Sequence, residues 1–247
     1  GARAALDNFW RCMSEGARSN PLKRTPFDIL TGYWGLDRNP VYYAMDAMTR
    51  AASPYQLNPA NMNPLRDLLE GSIDFERVRQ CTAFKLFISA TNVETGKVKV
   101  FPREHLTADM VMASTCLPTL FQAVEIDGVP YWDGGYMGNP ALFPFYGRTG
   151  SDDVVVVQIN PVERKGVPRS PQDIQDRMSE INFNSSLLNE LRAIDFVDRL
   201  IREGKLSTEH YRQVRVHIIE NQAEMKPLGA SSKLNTEWAF LTKLRDM

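Results

Sequence analysis

The chain reads as α/β: a parallel-centred sheet with helices on both faces. Three observations predict it. Helical periodicity alternates with short apolar runs along the whole sequence, which is the pattern of strands joined by crossover helices. Residues 154–159 form a nearly unbroken aliphatic run closed by Asn160-Pro161, as expected of a strand covered on both faces. No repeat, low-complexity tract or linker divides the 247 residues, so residues 1–247 are taken as one domain, large enough for a substantial core.

Residues 2–15 place Leu6, Phe9, Trp10 and Met13 on one helical stripe. A turn-rich stretch follows, marked by Pro21, Pro26, Gly32, Gly35 and Pro40 and dense in Phe27, Tyr33, Trp34, Tyr42, Tyr43 and Tyr55. Rings with one apolar and one wet end suit either a small subdomain packing its own aromatics or a surface at a lipid–water boundary. Asn63 caps a helix opened by Pro64, and residues 74–79 form another. A strand is expected over 84–91, a turn at Glu94-Thr95-Gly96-Lys97, and a returning strand over 98–101. Thr107 caps a helix of small, smooth residues over 108–116 that ends before Pro118.

Two β-prone runs then flank Asp127-Gly128, the strongest short-range hairpin signal, because a two-residue turn needs positive φ. The hairpin delivers Asp133 at a strand end, followed at once by Gly134 and Gly135. Paired glycines let the backbone turn sharply and let another group come close. Beyond the strand at 154–159, Ser170-Pro171-Gln172-Asp173 reads as a helix start. The helical pattern runs to about Arg202, with an interruption at Asn182-Phe183-Asn184-Ser185-Ser186, and Gly204 ends it. Ser207 opens a short helix, residues 214–219 form a strand, and a closing helix spans 231–244.

The stretch around Asp133 resembles the patatin-like phospholipases and acyl hydrolases of bacterial type. The likeness is carried by Ala113-Ser114-Thr115-Cys116-Leu117-Pro118, Phe121, Ile126-Asp127-Gly128, Tyr131, Asp133-Gly134-Gly135 and Asn139-Pro140, and upstream by Phe87-Ile88-Ser89-Ala90-Thr91-Asn92 with Thr95-Gly96. The resemblance implies a three-layer α/β/α fold with a mostly parallel central sheet. It also implies a Ser-Asp catalytic dyad in which Asp133 partners the nucleophile. The family's Gly-x-Ser-x-Gly nucleophile motif and its glycine-rich oxyanion loop do not occur here. The chain thus looks like a member that lacks those N-terminal segments, with no nucleophile of its own, and it is expected to be inactive alone.

Serine becomes a nucleophile only when a nearby base takes its proton. Histidine is the usual base, oriented by a carboxylate. His105 lies in a loop before a helix, His210 on a polar helix with Glu209 and Arg212, and His217 mid-strand, so structural or surface roles are expected of them. A carboxylate alone is a weaker base, since free Asp has a pKa of about 3.9, but it works when held against the hydroxyl in a site that excludes water. Gly134 and Gly135 leave room for that approach.

The remaining chemistry is expected to be absent. Cys12, Cys81 and Cys116 lack metal spacing and read as buried apolar residues of a reducing compartment. No cofactor or metal motif occurs. A net charge of −1, with bases and acids interspersed, gives nucleic acid no groove, and no run is long enough to span a bilayer. The first functional reading is a cytoplasmic serine esterase acting on a fatty-acyl ester or phospholipid, in peripheral contact with membrane through residues 27–55. A second is a non-catalytic relative that binds lipid or a partner. The third is a plain α/β domain whose Asp-Gly-Gly is only a turn.

Overall fold

The computed structural model describes residues 1–146 and 149–247. Helices α1 (Ala2–Gly16), α2 (Pro26–Thr31), α3 (Pro40–Ala51), α4 (Pro54–Leu57), α5 (Pro64–Ser72) and α6 (Phe75–Gln80) come first. Four of them, α2 to α5, open on proline directly after Thr25, Asn39, Ser53 and Asn63. Proline suits the first helical position because its missing N–H would be unbonded there anyway. The caps of α2, α3 and α5 accept backbone N–H groups of the first turn. The stripe expected on α1 forms but buries no residue fully, so this helix is peripheral.

Strand β1 (Phe87–Asn92) starts three residues later than the sequence suggested and turns back as β2 (Val98–Pro102). After α7 (Ala108–Ser114) comes the hairpin of β3 (Val124–Ile126) and β4 (Val129–Asp133). Asp127 and Gly128 both hold positive φ, 51° and 76°, as the two-residue turn requires. These strands form one sheet in the order β2-β1-β4-β3, and every pair in it is antiparallel. Ala90, Phe101, Ala113 and Tyr131 are buried together where α7 lies on that sheet.

Strand β5 (Asp153–Gln158), the 32-residue helix α8 (Pro171–Arg202) and strand β6 (Arg215–Glu220) make a crossover unit, and β5 pairs with β6 in parallel. Helix α8 packs Leu187 against Leu142 and Val156. Helices α9 (Gln222–Met225) and α10 (Trp238–Asp246) follow.

The expectation of a mostly parallel central sheet is therefore corrected. In the larger sheet the β1–β2 and β3–β4 turns are far too short for a parallel crossover, which needs a dozen or so residues, and the β1–β4 pair that joins the two hairpins is antiparallel as well. Strands β5 and β6, joined through α8, are the pair that uses such a crossover. Strand β5 is also covered on one face only: Val156 is buried while Val155 and Val157 are exposed. The break expected near residue 184 is absent, since α8 runs through it. Residues 208–210 form a turn rather than a helix, and the closing helix begins at Trp238 behind a 3₁₀ turn at Ala230–Leu234. Of the cysteines only Cys116 is buried, and Cys12 is exposed.

Candidate active site

Asp133 is the last residue of β4 and pairs in register with Ala90 of β1. Its backbone is fixed from two sides. Its N–H donates to the Cys116 carbonyl at 2.9 Å, and its own carbonyl accepts from the Thr91 hydroxyl at 2.8 Å. The first bond ties the acid to the end of α7, the small-residue helix beneath the site.

The chain then tightens into a 3₁₀ turn over Gly134–Tyr136, and the Gly135 N–H donates to Asp133 Oδ1 at 2.7 Å. Both glycines are demanded by close approach. A Cβ on Gly134 would collide with the Ser89 carbonyl and stand 2.6 Å from the Ser89 hydroxyl oxygen. A Cβ on Gly135 would stand 2.7 Å from Cε1 of Phe183. The structure thus brings Asp133, Gly134 and Gly135 together as the sequence suggested, with each glycine beside a different wall.

The walls come from far along the chain. Phe183 of α8 packs on Tyr136 with ring centres 5.4 Å apart. The Lys233 ammonium lies 5.7 Å from the centre of the Phe183 ring. Ser186 accepts the Asn139 N–H at 2.8 Å, and Asn184 is buried with its amide donating to the Pro161 carbonyl. The sequence marks none of these as a site residue, and the one signal is the run at 182–186, which contains Phe183, Asn184 and Ser186. Read as a helix break, it is instead the face of α8 that meets backbone groups of the loops after β4 and β5.

Burial pushes the Asp133 carboxyl above the ordinary carboxylate value, while the Gly135 N–H and the Lys233 charge pull it partly back. A raised carboxyl is a stronger base. The Cys116 thiol feels the same surroundings: burial drives its pKa up to about 11, with Asp133 adding to the rise. It donates to the Gln122 carbonyl at 3.1 Å, so it stands as a neutral thiol rather than a nucleophile. Among the described residues, no serine hydroxyl hydrogen-bonds the Asp133 side chain, nor does any histidine. His105 and His210 are exposed, and His217 meets Asp153 at 2.9 Å. No group of histidine, cysteine and acid residues among those described is arranged to hold a metal ion.

Asp133 is thus a half-buried acid at a hairpin end, backed by a glycine pair and a small-residue helix in a mixed α/β protein. The sequence model for patatin-like phospholipases matches residues 22–146, and the chain belongs to that family. The matched span contains the whole antiparallel sheet, α7 and Asp133, and ends before β5. Patatin-like phospholipases are lipid acyl hydrolases. No curated protein sequence matches the chain. No helix among the described residues is long and apolar enough to cross a membrane.

Proposed function

We propose that this chain is one patatin-like unit carrying the acid of a serine acyl hydrolase, with fatty-acyl esters and foremost phospholipids as substrates. The observation that carries the reading is the Asp133 carboxylate. It is held at Oδ1 by the Gly135 N–H and raised in basicity by burial. In this reading Asp133 takes the proton of a serine hydroxyl supplied from outside these residues as the serine oxygen attacks the acyl carbonyl. The proton passes to the leaving alcohol, and water, deprotonated in the same way, then releases the acid. Backbone amides of an oxyanion loop, also outside these residues, would stabilise the tetrahedral intermediate.

The test is Asp133→Asn in full-length protein that contains a Gly-x-Ser-x-Gly segment. Asparagine keeps the acceptor for Gly135 but cannot take the serine proton. Hydrolysis of a fatty-acyl ester should fall by about 10²-fold or more, the low end of what a positioned base supplies. His105, His210 and His217 variants should stay within a few-fold. Wild-type activity should decline as pH falls through the raised Asp133 pKa. Near-normal turnover in Asp133→Asn would show that the base lies elsewhere. Full-length protein that binds lipid but hydrolyses no ester would favour a non-catalytic relative.

Peripheral membrane contact belongs to the same proposal, with a sharper assignment than the aromatic content of 27–55 allowed. Trp34 stacks on Phe240 beneath the Arg24 guanidinium and is structural. Phe27, Ile29 and Leu30 are exposed together on α2, with Leu30 84% accessible, and Tyr43, Met48 and Tyr55 are exposed elsewhere in the segment. Liposome binding that depends on Phe27, Ile29 and Leu30 and little on salt would support contact through α2. The unpaired thiols fit the reducing cytoplasm.

A further inference from the structure

Phe183 stands where three parts of the molecule meet. Its Cε1 is 2.7 Å from the position a Gly135 Cβ would take, and Asp133 Oδ1 is 3.1 Å from that same point. Ring and carboxylate therefore flank one glycine, with no side chain between them. Phe183 also lines a cavity of about 570 Å³ between the open face of the β5–β6 pair and α10. Gln158, Asn160 and Asn221 in its wall offer water polar partners. One aromatic side chain thus separates a space that can hydrate from the candidate acid.

The ring is held in place from both sides of its helix. The Phe183 carbonyl accepts from the Asn139 amide at 3.4 Å, Ser186 accepts the Asn139 N–H, and Asn184 donates to the Pro161 carbonyl. Tyr136 packs on the ring, and the Lys233 ammonium lies 5.7 Å from its centre. These contacts pin α8 to the turn whose Gly135 N–H donates to Asp133 Oδ1. The titratable groups coupled to Asp133 are Cys116 after α7, Tyr136 in its own turn and Lys233 before α10. Burial raises the thiol and the phenol, with Asp133 adding to each, so of the three the ammonium carries the charge at neutral pH.

We propose that Phe183 is a positioning residue for the acid: it seats the Gly135 amide on Asp133 Oδ1 and keeps cavity water from the carboxylate. The inference rests on the reading of Asp133 as the base of a hydrolase. A ring edge offers a carboxylate no hydrogen bond, so water excluded by it leaves the acid a stronger base.

The test uses full-length protein containing a Gly-x-Ser-x-Gly segment, with two readouts. One is kcat and KM for a soluble fatty-acyl ester against pH. The other is the Asp133 carboxyl titration by carbon-13 NMR, its signal assigned by its loss in Asp133→Asn. Phe183→Ala should lower kcat by about tenfold or more, as displaced catalytic groups do, and leave KM within a few-fold. It should also move both the low-pH fall in kcat and the carboxyl titration to lower pH. Burial is the largest influence on Asp133, and hydration removes part of it. Phe183→Leu keeps an apolar cover and should stay near wild type. Phe183→Val, with the same expected signs as alanine, serves if the alanine variant fails to fold. Lys233→Met removes an exposed charge that steadies the carboxylate, and it should move both readouts slightly to higher pH.

A general loosening of the fold would not give opposite signs in the two kinds of variant. Unmoved titration in the Phe183 truncations, or the same direction of shift in Lys233→Met, would overturn the positioning role. Inactive Asp133→Asn beside a Phe183 truncation with the wild-type pH profile overturns that role alone. Asp133→Asn of normal activity overturns the base, and the carboxyl titration then decides by itself whether Phe183 shields the acid.

Discussion

The β1–β4 sheet and the β5–β6 pair reach coverage by opposite routes. In the first, hairpin turns return the chain on itself, and α7 lies on one face to bury Ala90, Ala113 and Tyr131. In the second, α8 crosses between two strands and covers one face through Leu187, leaving Val155, Val157 and Ile219 exposed on the other. Parallel strands ordinarily have both faces covered, so the second sheet presents an apolar surface that the first does not. The acid of the proposed mechanism stands on the closed sheet, and a cavity of about 570 Å³ opens beside the other. Phe183 of α8 stands between them.

The largest effect that tests this comparison is expected at Gly134. A methyl group there meets the Ser89 carbonyl, a backbone atom held in the β1 ladder, so relief requires moving β1 against β4. Gly134→Ala should cost about 3 kcal/mol, at the upper end of overpacking, read from denaturant unfolding. A loss below about 0.5 kcal/mol would show that the closed sheet is looser than the geometry implies.

Adjacent residues of β5 supply the next measurement. Val156 is 5% accessible and Val157 is 70% accessible. Val156→Ala should destabilise by about 2 kcal/mol, near the lower bound for large aliphatic truncations. Val157→Ala should stay within about 0.5 kcal/mol, as for surface changes. Equal costs at the two positions would mean that the open face is covered in solution, and the contrast between the sheets would disappear.

The smallest effect concerns Asp133 and is one of sign. Burial raises its pKa in the folded state, so folding favours the protonated form. That contribution is complete below the unfolded value of about 3.9 and is lost as pH rises through the folded pKa. Asp133→Asn should therefore gain stability relative to wild type between pH 4 and pH 7, by tenths of a kcal/mol, about the scale of a surface change. A relative loss over that range would mean that the carboxylate is better stabilised by Gly135 and Lys233 than burial penalises it.

Much of this was legible in the residues because it is local. Asp127-Gly128 dictates its own turn through two positive φ values, and the strands on either side follow. Proline behind a capping side chain starts α5 and α8 where the sequence places them. The position of Asp133 at a strand end, ahead of a glycine pair, comes from the same short stretch. What tertiary structure alone decided is how those pieces meet. The antiparallel order β2-β1-β4-β3 depends on pairing β1 with β4 across some forty residues, and alternation of helix and strand does not encode it. The run at 182–186 looks like a break by periodicity. It is helical because Asn184 and Ser186 find their partners in loops distant in sequence, at Pro161 and Asn139. Lys233 and Phe183 carry no motif, and they reach Asp133 only because α8 and the turn before α10 fold back against the end of β4. Turns and caps are set by interactions within a few residues, whereas partners that must first close a long loop are specified by the packing of the whole chain.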